Sequence, residues 1–439
     1  MRREIHIGLL GRGTVAQGVI KLLVENQDLI KKKVGATLSI SKVLARDTRK
    51  QRSVKLSRGL LTAVPEEVLR NPDVDIVVEL IGGYEPARSY ILRAMEAGKD
   101  IVTANKALLA AHGEEIFSRA QKQGVDIGFE ASVGGGIPII RTLKEGLAGD
   151  RNRAVFGILN GTCNYILTTM EERGESFQGA LAHAQQLGYA EADPSFDING
   201  MDAAHKLAIL TVLAFGTRIK LDDIYTEGIR HLTAMDIRYA GELGYRIKLL
   251  AIARNDNGAI EARVHPAMLP QHHPLALVRG PFNAVFIEGQ ALGSSMYFGQ
   301  GAGMMPTATS VLADIIEIAR NRLHGKSLRI PPLGYPMGTL SRPRIRKIDD
   351  LRSEYYLRFM ALDRPGVLAQ ISGILGRYGI SIASVIQKEE REGSSVPVVM
   401  HTREAREKDL KKALSRIDRL RVVKAKTVYI RVVPLSTEQ

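Results

Sequence analysis

The segment Gly11-Arg12-Gly13-Thr14-Val15-Ala16 limits the possible folds of this chain more than any other. It fits G-x-G-x-x-A, follows a short apolar run at 5–10, and opens an apolar-periodic stretch through Val19, Ile20, Leu22 and Leu23. Strand, tight turn and helix are therefore expected in that order, the setting in which this pattern holds a dinucleotide. Gly11 permits the turn, Gly13 lets a pyrophosphate approach the backbone, and Ala16 is small enough for the helix to pack against the strand. Free N–H groups and a partial positive charge at the helix start would receive the phosphate. Apolar runs at 38–45, 74–80 and 100–103 alternate with helical stretches. The expected class is α/β, with a parallel, doubly wound, Rossmann-like domain over residues 1–135.

Cofactor choice is read where the second strand ends, in Ala45-Arg46-Asp47-Thr48-Arg49-Lys50-Gln51-Arg52. Arg46 leads a basic run suited to a ribose 2′-phosphate, which favours NADP, while Asp47 is an acid of the kind that holds a 2′-hydroxyl and keeps NAD open. A solvated basic loop accounts equally well for the side chains after Arg46. Thr103-Ala104-Asn105-Lys106 lies past a short strand, at the carboxyl edge where open sheets bind ligands, so Lys106 can face cofactor and substrate together. Taken alone, a lysine there is more often a solvated surface residue.

At 439 residues the chain exceeds one core. From Ile137 to about Arg322 longer helices mix with strand-like runs at 154–159 and 258–264, an α+β domain over 136–325. Its densest polar group is Glu191, Asp193, Asp197, Asp202, His205 and Lys206. Asp202 and Lys206 stand four apart on a helix that continues through Leu207, Leu210 and Leu213, so they share a face. An ordinary ion pair would suffice for these two. It does not explain three carboxylates crowded ahead of them, with Pro194 fixing the chain. A partly desolvated lysine beside carboxylates can donate or accept a proton. After His324, Pro331, Pro332, Pro336 and Pro343 exclude a continuous helix and give a linker at 326–352. Beyond it, strand (355–362), helix (365–378), strand (381–388), strand (396–402), helix (404–420) and strand (422–433) make a ferredoxin-like βαββαβ unit within 353–435.

The net charge of +14 raises the question of nucleic acid. It divides into +10 over residues 1–60, −5 over 61–340 and +9 over 341–439. The third tail strand, Ser394-Ser395-Val396-Pro397-Val398-Val399-Met400-His401-Thr402, lacks the aromatic pattern of an RNA-reading strand, so no nucleic-acid partner is expected. The distribution points instead to a small phosphorylated cofactor at the front. One cysteine, Cys163, excludes an intramolecular disulfide and a Cys-based zinc site, and is expected to be a packed thiol. The apolar start is too short for a secretory signal and is broken by Glu4, His6 and Gly8. No apolar run reaches the roughly 18 residues of a membrane span, so a cytoplasmic protein is expected.

A further set of blocks carries a family resemblance: GLLGRGTVAQG (8–18), TANK (103–106), FEASVGGGIPII (129–140), GILNGTCNYIL (157–167), LGYAEADPSFDINGMDAAHKLAIL (187–210) and GQGAGMMPTATSVLADI (299–315). With the tail, where Asp363-Arg364-Pro365-Gly366-Val367-Leu368-Ala369 resembles an ACT signature, they fall in order over essentially the whole chain. The sequence resembles homoserine dehydrogenases of the single-function type with a C-terminal ACT domain. Arg12, Ala16 and Gln17 stand where that family commonly has Leu, Gly and Ser.

The resemblance implies reversible hydride transfer between a nicotinamide and L-homoserine, giving L-aspartate 4-semialdehyde, with 136–325 as the catalytic and dimerisation domain. It makes Lys206 the general acid/base and Lys106 a second lysine at the reacting centre. Glu191 and Asp202 would hold the substrate ammonium, with Gly188 beside them. Gly11, Gly13, Thr14, Val15, Arg46, Lys106 and Gly303 would contact the cofactor. Glu130, Val133, Gly135 and Ile137 match a monovalent-cation site, for sodium, although Gly134-Gly135-Gly136 before Pro138 reads on its own as a hinge. The tail implies a homodimer or homotetramer and an amino-acid effector, L-threonine. Two other readings stay open: another Rossmann-type amino-acid dehydrogenase, and an amino-acid-sensing ACT binding protein without turnover.

Overall fold

The computed structural model describes residues 4–388 and 394–433. Residues 1–3 of the basic start and residues 434–435 of the expected tail domain lie outside the described residues. The chain forms two compact units, each gathered from three stretches. The first comprises Met1–Leu159, Ala204–Asp223 and Asn283–Pro343; the second comprises Asn160–Ala203, Ile224–Phe282 and the chain from Arg344 onward.

The first unit is built on a parallel sheet of β1 (Glu4–Leu10), β2 (Thr37–Leu44), β3 (Leu61–Thr62), β4 (Ile76–Glu79), β5 (Asp100–Thr103) and β6 (Ile127–Gly128), in the order β3-β2-β1-β4-β5-β6. This is the Rossmann order, and the chain reverses direction across the sheet between β1 and β4, where such folds bind dinucleotides. Every residue of β4 and β5 is buried, as expected for strands covered on both faces. Helix α1 (Thr14–Glu25) follows β1 directly.

A later helix, Met304–Leu323, returns to this unit, and its Val311, Leu312 and Ile315 join Ile5, Ile7, Leu9, Val19 and Ile20 in one buried core. Burial of each such side chain contributes about 1.5–3 kcal/mol. Close approach to α1 depends on Gly18, where a Cβ would lie 2.8 Å from both the Ala308 Cβ and the Met304 carbonyl oxygen. At its far end Arg322 reaches two buried carboxylates, Asp100 at 2.7 Å and Asp75 at 3.2 Å. The Asn152–Ile158 and Phe282–Gly289 strands pair antiparallel, with Ser294–Gln300 at the outer edge. Within the proline-rich stretch Leu333, Met337 and Leu340 are buried.

In the second unit the long strands Tyr245–Asp256 and Ala259–Pro270 pair antiparallel. The tail has the expected βαββαβ order: Arg352–Leu362, Val367–Arg377, Ile382–Ile386, Ser395–Thr402, Glu407–Ile417 and Val428–Val432. Its first strand lies between the third and fourth, and alternation along it sends Tyr355, Leu357, Phe359 and Ala361 into a core beneath the two helices. The opposite face carries Arg358 and Tyr356 onto Asp236: Arg358 Nε and Nη2 donate to its carboxylate at 2.6 and 3.0 Å, and the Tyr356 hydroxyl at 3.1 Å. The last tail strand also pairs in parallel with Ala259–Pro270, Ala267 opposite Arg431 and Met268 opposite Val432. The tail sheet and the Tyr245–Pro270 hairpin are thus one continuous sheet. The last strand is shorter than the expected 422–433, because Val423 makes only an isolated bridge to Ala361 and Asp418 turns the chain by accepting from Thr427 N at 3.0 Å.

Candidate active site

The turn after β1 is held open for a ligand. Gly11 adopts φ +108°, and a Cβ there would sit 2.9 Å from the Leu80 carbonyl oxygen. A Cβ on Gly13 would meet nothing within 4 Å, so that backbone faces open space at the head of α1. The first turn of α1 carries no acidic residue to compete for its N–H groups. Arg12 turns away from the glycines and donates to the carbonyls of Lys50 and Val54 at 3.3 and 3.2 Å, drawing the basic loop toward the turn. Together they line a cleft of about 570 Å³ containing Gly11, Gly13, Arg46, Asp47, Lys50 and Arg52. A glycine-walled phosphate cradle beside Arg12, Arg46, Asp47, Lys50 and Arg52, four of the five basic, fits a dinucleotide. Asp47 spends its carboxylate on its own turn, Oδ1 accepting from Arg49 N at 2.8 Å and Lys50 N at 3.2 Å. Thr14, exposed at the start of α1, Val15, packed against the core, Lys106 and Gly303 stand outside that lining.

Lys106 begins the Lys106–Gln123 helix, and its position is set from β4. The buried Glu79 accepts from Ile81 N and Gly82 N at 2.7 and 3.0 Å and from the Thr103 hydroxyl at 2.6 Å; Thr103 in turn accepts from Asn105 N at 3.0 Å. Asn105 caps the helix by accepting from Leu108 N at 3.2 Å. Gly303, at φ +122°, is the N-cap of the Met304–Leu323 helix.

Asp202 and Lys206 lie one turn apart on the Met201–Phe215 helix, 4% and 8% exposed. Lys206 Nζ donates to the Leu159 carbonyl at 2.6 Å, and Asn283 Nδ2 donates to the same oxygen at 3.0 Å. The other carboxylates divide by role. Asp193 accepts from Ser195 N at 3.0 Å, and its hydrogen bonds to Ser195 hold it below the usual carboxylate range. Asp197 and Asp202 are joined by Asn160, whose Nδ2 donates to Asp197 Oδ1 at 2.7 Å and Asp202 Oδ2 at 2.8 Å. Glu191 is exposed, in a loop whose Glu191 carbonyl accepts from Gln185 Nε2 at 3.1 Å, and Gly188, at φ +75°, precedes it. Cys163 is fully buried with Sγ 3.2 Å from the Asp197 carbonyl, a packed thiol as expected.

At the expected cation site all the named donors are oxygens: one carboxylate and three carbonyls. That set fits a hard cation of low charge. Glu130 is already engaged, accepting from Ile140 N at 2.7 Å and Arg141 N at 2.9 Å, while the Gly135 carbonyl accepts from Ser310 Oγ at 2.7 Å. Burial lifts Glu130 above the ordinary carboxylate range; burial, and next the charge of Glu130, push neighbouring Asp314 up to about 8. Among the described residues no group of three or more His, Cys, Asp or Glu is arranged around a metal ion, so any cation here rests mainly on carbonyls.

A homoserine dehydrogenase of Pseudomonas aeruginosa is 44% identical over 99% of this chain and 100% of its own length. The chain belongs to the homoserine dehydrogenase family. The description "Homoserine dehydrogenase, NAD binding domain" matches residues 11–130, "Homoserine dehydrogenase" matches 138–316 and "ACT domain" matches 355–422. A homoserine dehydrogenase structure from Thiobacillus denitrificans superposes with TM-score 0.92 at 45% identity, covering 98% of each chain. A hyperthermophilic archaeal homoserine dehydrogenase, solved in complex with NADPH, matches with TM-score 0.63 at 27% identity over 74% of this chain and all of its own. As a homoserine dehydrogenase the chain is an NAD(P)-dependent oxidoreductase that takes a nicotinamide cofactor and carries an ACT domain. Sequence reasoning missed Glu79, Gly18, Asn160 and Asn283 in this homoserine dehydrogenase. Asn160 alone left a local signal, an Asn at the N-cap of the Gly161–Arg173 helix.

Proposed function

We propose that the chain interconverts L-homoserine and L-aspartate 4-semialdehyde with NADP in preference to NAD. The bound nicotinamide supplies the hydride acceptor for oxidation and the donor for reduction. In oxidation the C4 carbon of homoserine gives up a hydride and its hydroxyl gives up a proton, which Lys206 accepts; in reduction protonated Lys206 returns it to the forming alkoxide. Glu191 and Asp202 hold the substrate ammonium, with Gly188 shaping their loop, and Lys106 supports the reacting oxygen. Gly11, Gly13, Thr14, Val15, Arg46, Lys106 and Gly303 hold the cofactor. The observation that carries this reading is the single helix that keeps an acid and a lysine buried one turn apart.

The preference for NADP rests on Arg46, Lys50 and Arg52 in one cleft and on the engagement of Asp47 with its own backbone. Arg46→Ala is expected to raise the KM for NADPH about 10- to 100-fold, the loss of one charge-assisted contact, with rates on NADH unchanged. Equal effects on both cofactors would remove the assignment.

Sodium is proposed at Glu130, Val133, Gly135 and Ile137. The proposed division is 1–135 for cofactor, 136–325 for catalysis and dimerisation, 326–352 as a linker and 353–435 for regulation. L-Threonine at the tail lowers turnover, and the protein works as a cytoplasmic homodimer or homotetramer. No helix among the described residues is long and apolar enough to cross a membrane. Initial rates with aspartate semialdehyde and NADPH or NADH, each with and without threonine, test the whole reading. Absence of NADPH oxidation would sink it.

A further inference from the structure

Asn160 is 5% exposed, with both N–H groups of its amide and one lone pair of its oxygen engaged. Its Oδ1 accepts from Cys163 N at 2.8 Å, which settles which end of the amide is oxygen. The two N–H groups of Nδ2 then point one each at Asp197 Oδ1, at 2.7 Å, and Asp202 Oδ2, at 2.8 Å. Two carboxylates this close would repel and splay, or share a proton, without a donor between them. An arginine or lysine there would also hold them, but would cancel their charge. A neutral amide fixes both orientations and adds no charge of its own beside them.

We propose that Asn160 is a positioning residue for the substrate ammonium, forking Asp197 and Asp202 together without neutralising them. This rests on the reading that Asp202 binds that ammonium. The competing account is that Asn160 only caps the Gly161–Arg173 helix, for which Oδ1 alone suffices.

Asn160→Ser separates the two, because a serine oxygen caps a helix as asparagine does but has no pair of amide N–H groups to bridge two carboxylates. The fork predicts that Asn160→Ser raises the KM for homoserine about tenfold, with kcat and the KM for NADP close to wild type. Asn160→Asp keeps the cap and adds a third negative charge, so its KM should rise further. Asn160→Thr, another capping residue, repeats the serine test if that variant folds poorly. An unaltered homoserine KM in the capping variants, or a fall in kcat with KM unchanged, overturns the fork. Asp202→Asn reads the site itself. An elevated KM there beside an unaltered Asn160→Ser overturns the fork and keeps the site; an unaltered KM there overturns both.

Discussion

Lys206→Met is expected to lower kcat in both directions by roughly 10²- to 10⁴-fold, the range in which a positioned proton donor or acceptor contributes, while dinucleotide binding stays intact. Methionine matches the unbranched stem that lies 8% exposed on the Met201–Phe215 helix, so packing is largely kept. The partner carbonyl of Leu159 is not stranded either, since Asn283 Nδ2 still donates to it at 3.0 Å. Thermal unfolding should separate any stability cost from the catalytic loss. Lys206→Arg keeps the charge but cannot release a proton at neutral pH, so it should be nearly as inactive. Cofactor titration by protein fluorescence and steady-state rates are the measurements. Turnover within tenfold of wild type would move the proton-transfer role to Lys106.

The parts of this molecule that were legible in sequence are those whose partners are local. Gly11, Gly13 and Ala16 declared a strand-turn-helix because the spacing itself encodes the turn, and Asp100–Thr103 stood out as a short apolar run between helical stretches. The ferredoxin-like tail was readable from alternation and helix periodicity. What stayed hidden is what distant chain brings together. Nothing near β1 shows that Gly18 must stay small, because the Met304 carbonyl and Ala308 that crowd it come from far along the chain. Glu79, inside the apolar run at 74–80, anchors both the 81–82 backbone and Thr103, and through them Lys106. The acids near Lys206 are crowded in sequence, but the structure divides them according to which donor each meets. Asp193 meets its own helix start, whereas Asp197 and Asp202 meet one amide from 37 and 42 residues away. Asp47 is the reverse case: a residue that sequence spacing offers to a ribose is satisfied within its own turn.

Arg431→Met is expected to destabilise the second unit by about 3–5 kcal/mol, because it strands a buried carboxylate rather than merely deleting a contact. Arg431 is 1% exposed on the last tail strand. Its Nε and Nη2 grip Glu407 at 3.0 and 2.5 Å, and Nη1 reaches Glu227 at 2.8 Å. The guanidinium also lies 5.2 Å from the Tyr225 ring centre and 5.3 Å from that of Tyr429. Glu407 is fully buried, and without Arg431 it keeps the Tyr355 hydroxyl at 2.9 Å, the Tyr429 hydroxyl at 3.4 Å and the Lys411 ammonium at 3.5 Å, too little to hold a charge out of water. A fall in Tm on the order of 10 °C should follow. The double variant Arg431→Met with Glu407→Leu should recover most of it, since no buried charge is then left alone; the residue of the loss belongs to the Tyr355 hydroxyl and to Glu227. If the double variant is instead as unstable as the sum of the two single ones, the network acts through packing of the arginine between its tyrosines and not through charge. Arg431 also lies opposite Ala267, so the tail and the Ala259–Pro270 strand share backbone hydrogen bonds at the site of the substitution. Wild type and variant should each melt in one step. A separate early transition of the tail in the variant would show that the buried charges, rather than the short parallel pairing, join the regulatory sheet to the rest of its unit.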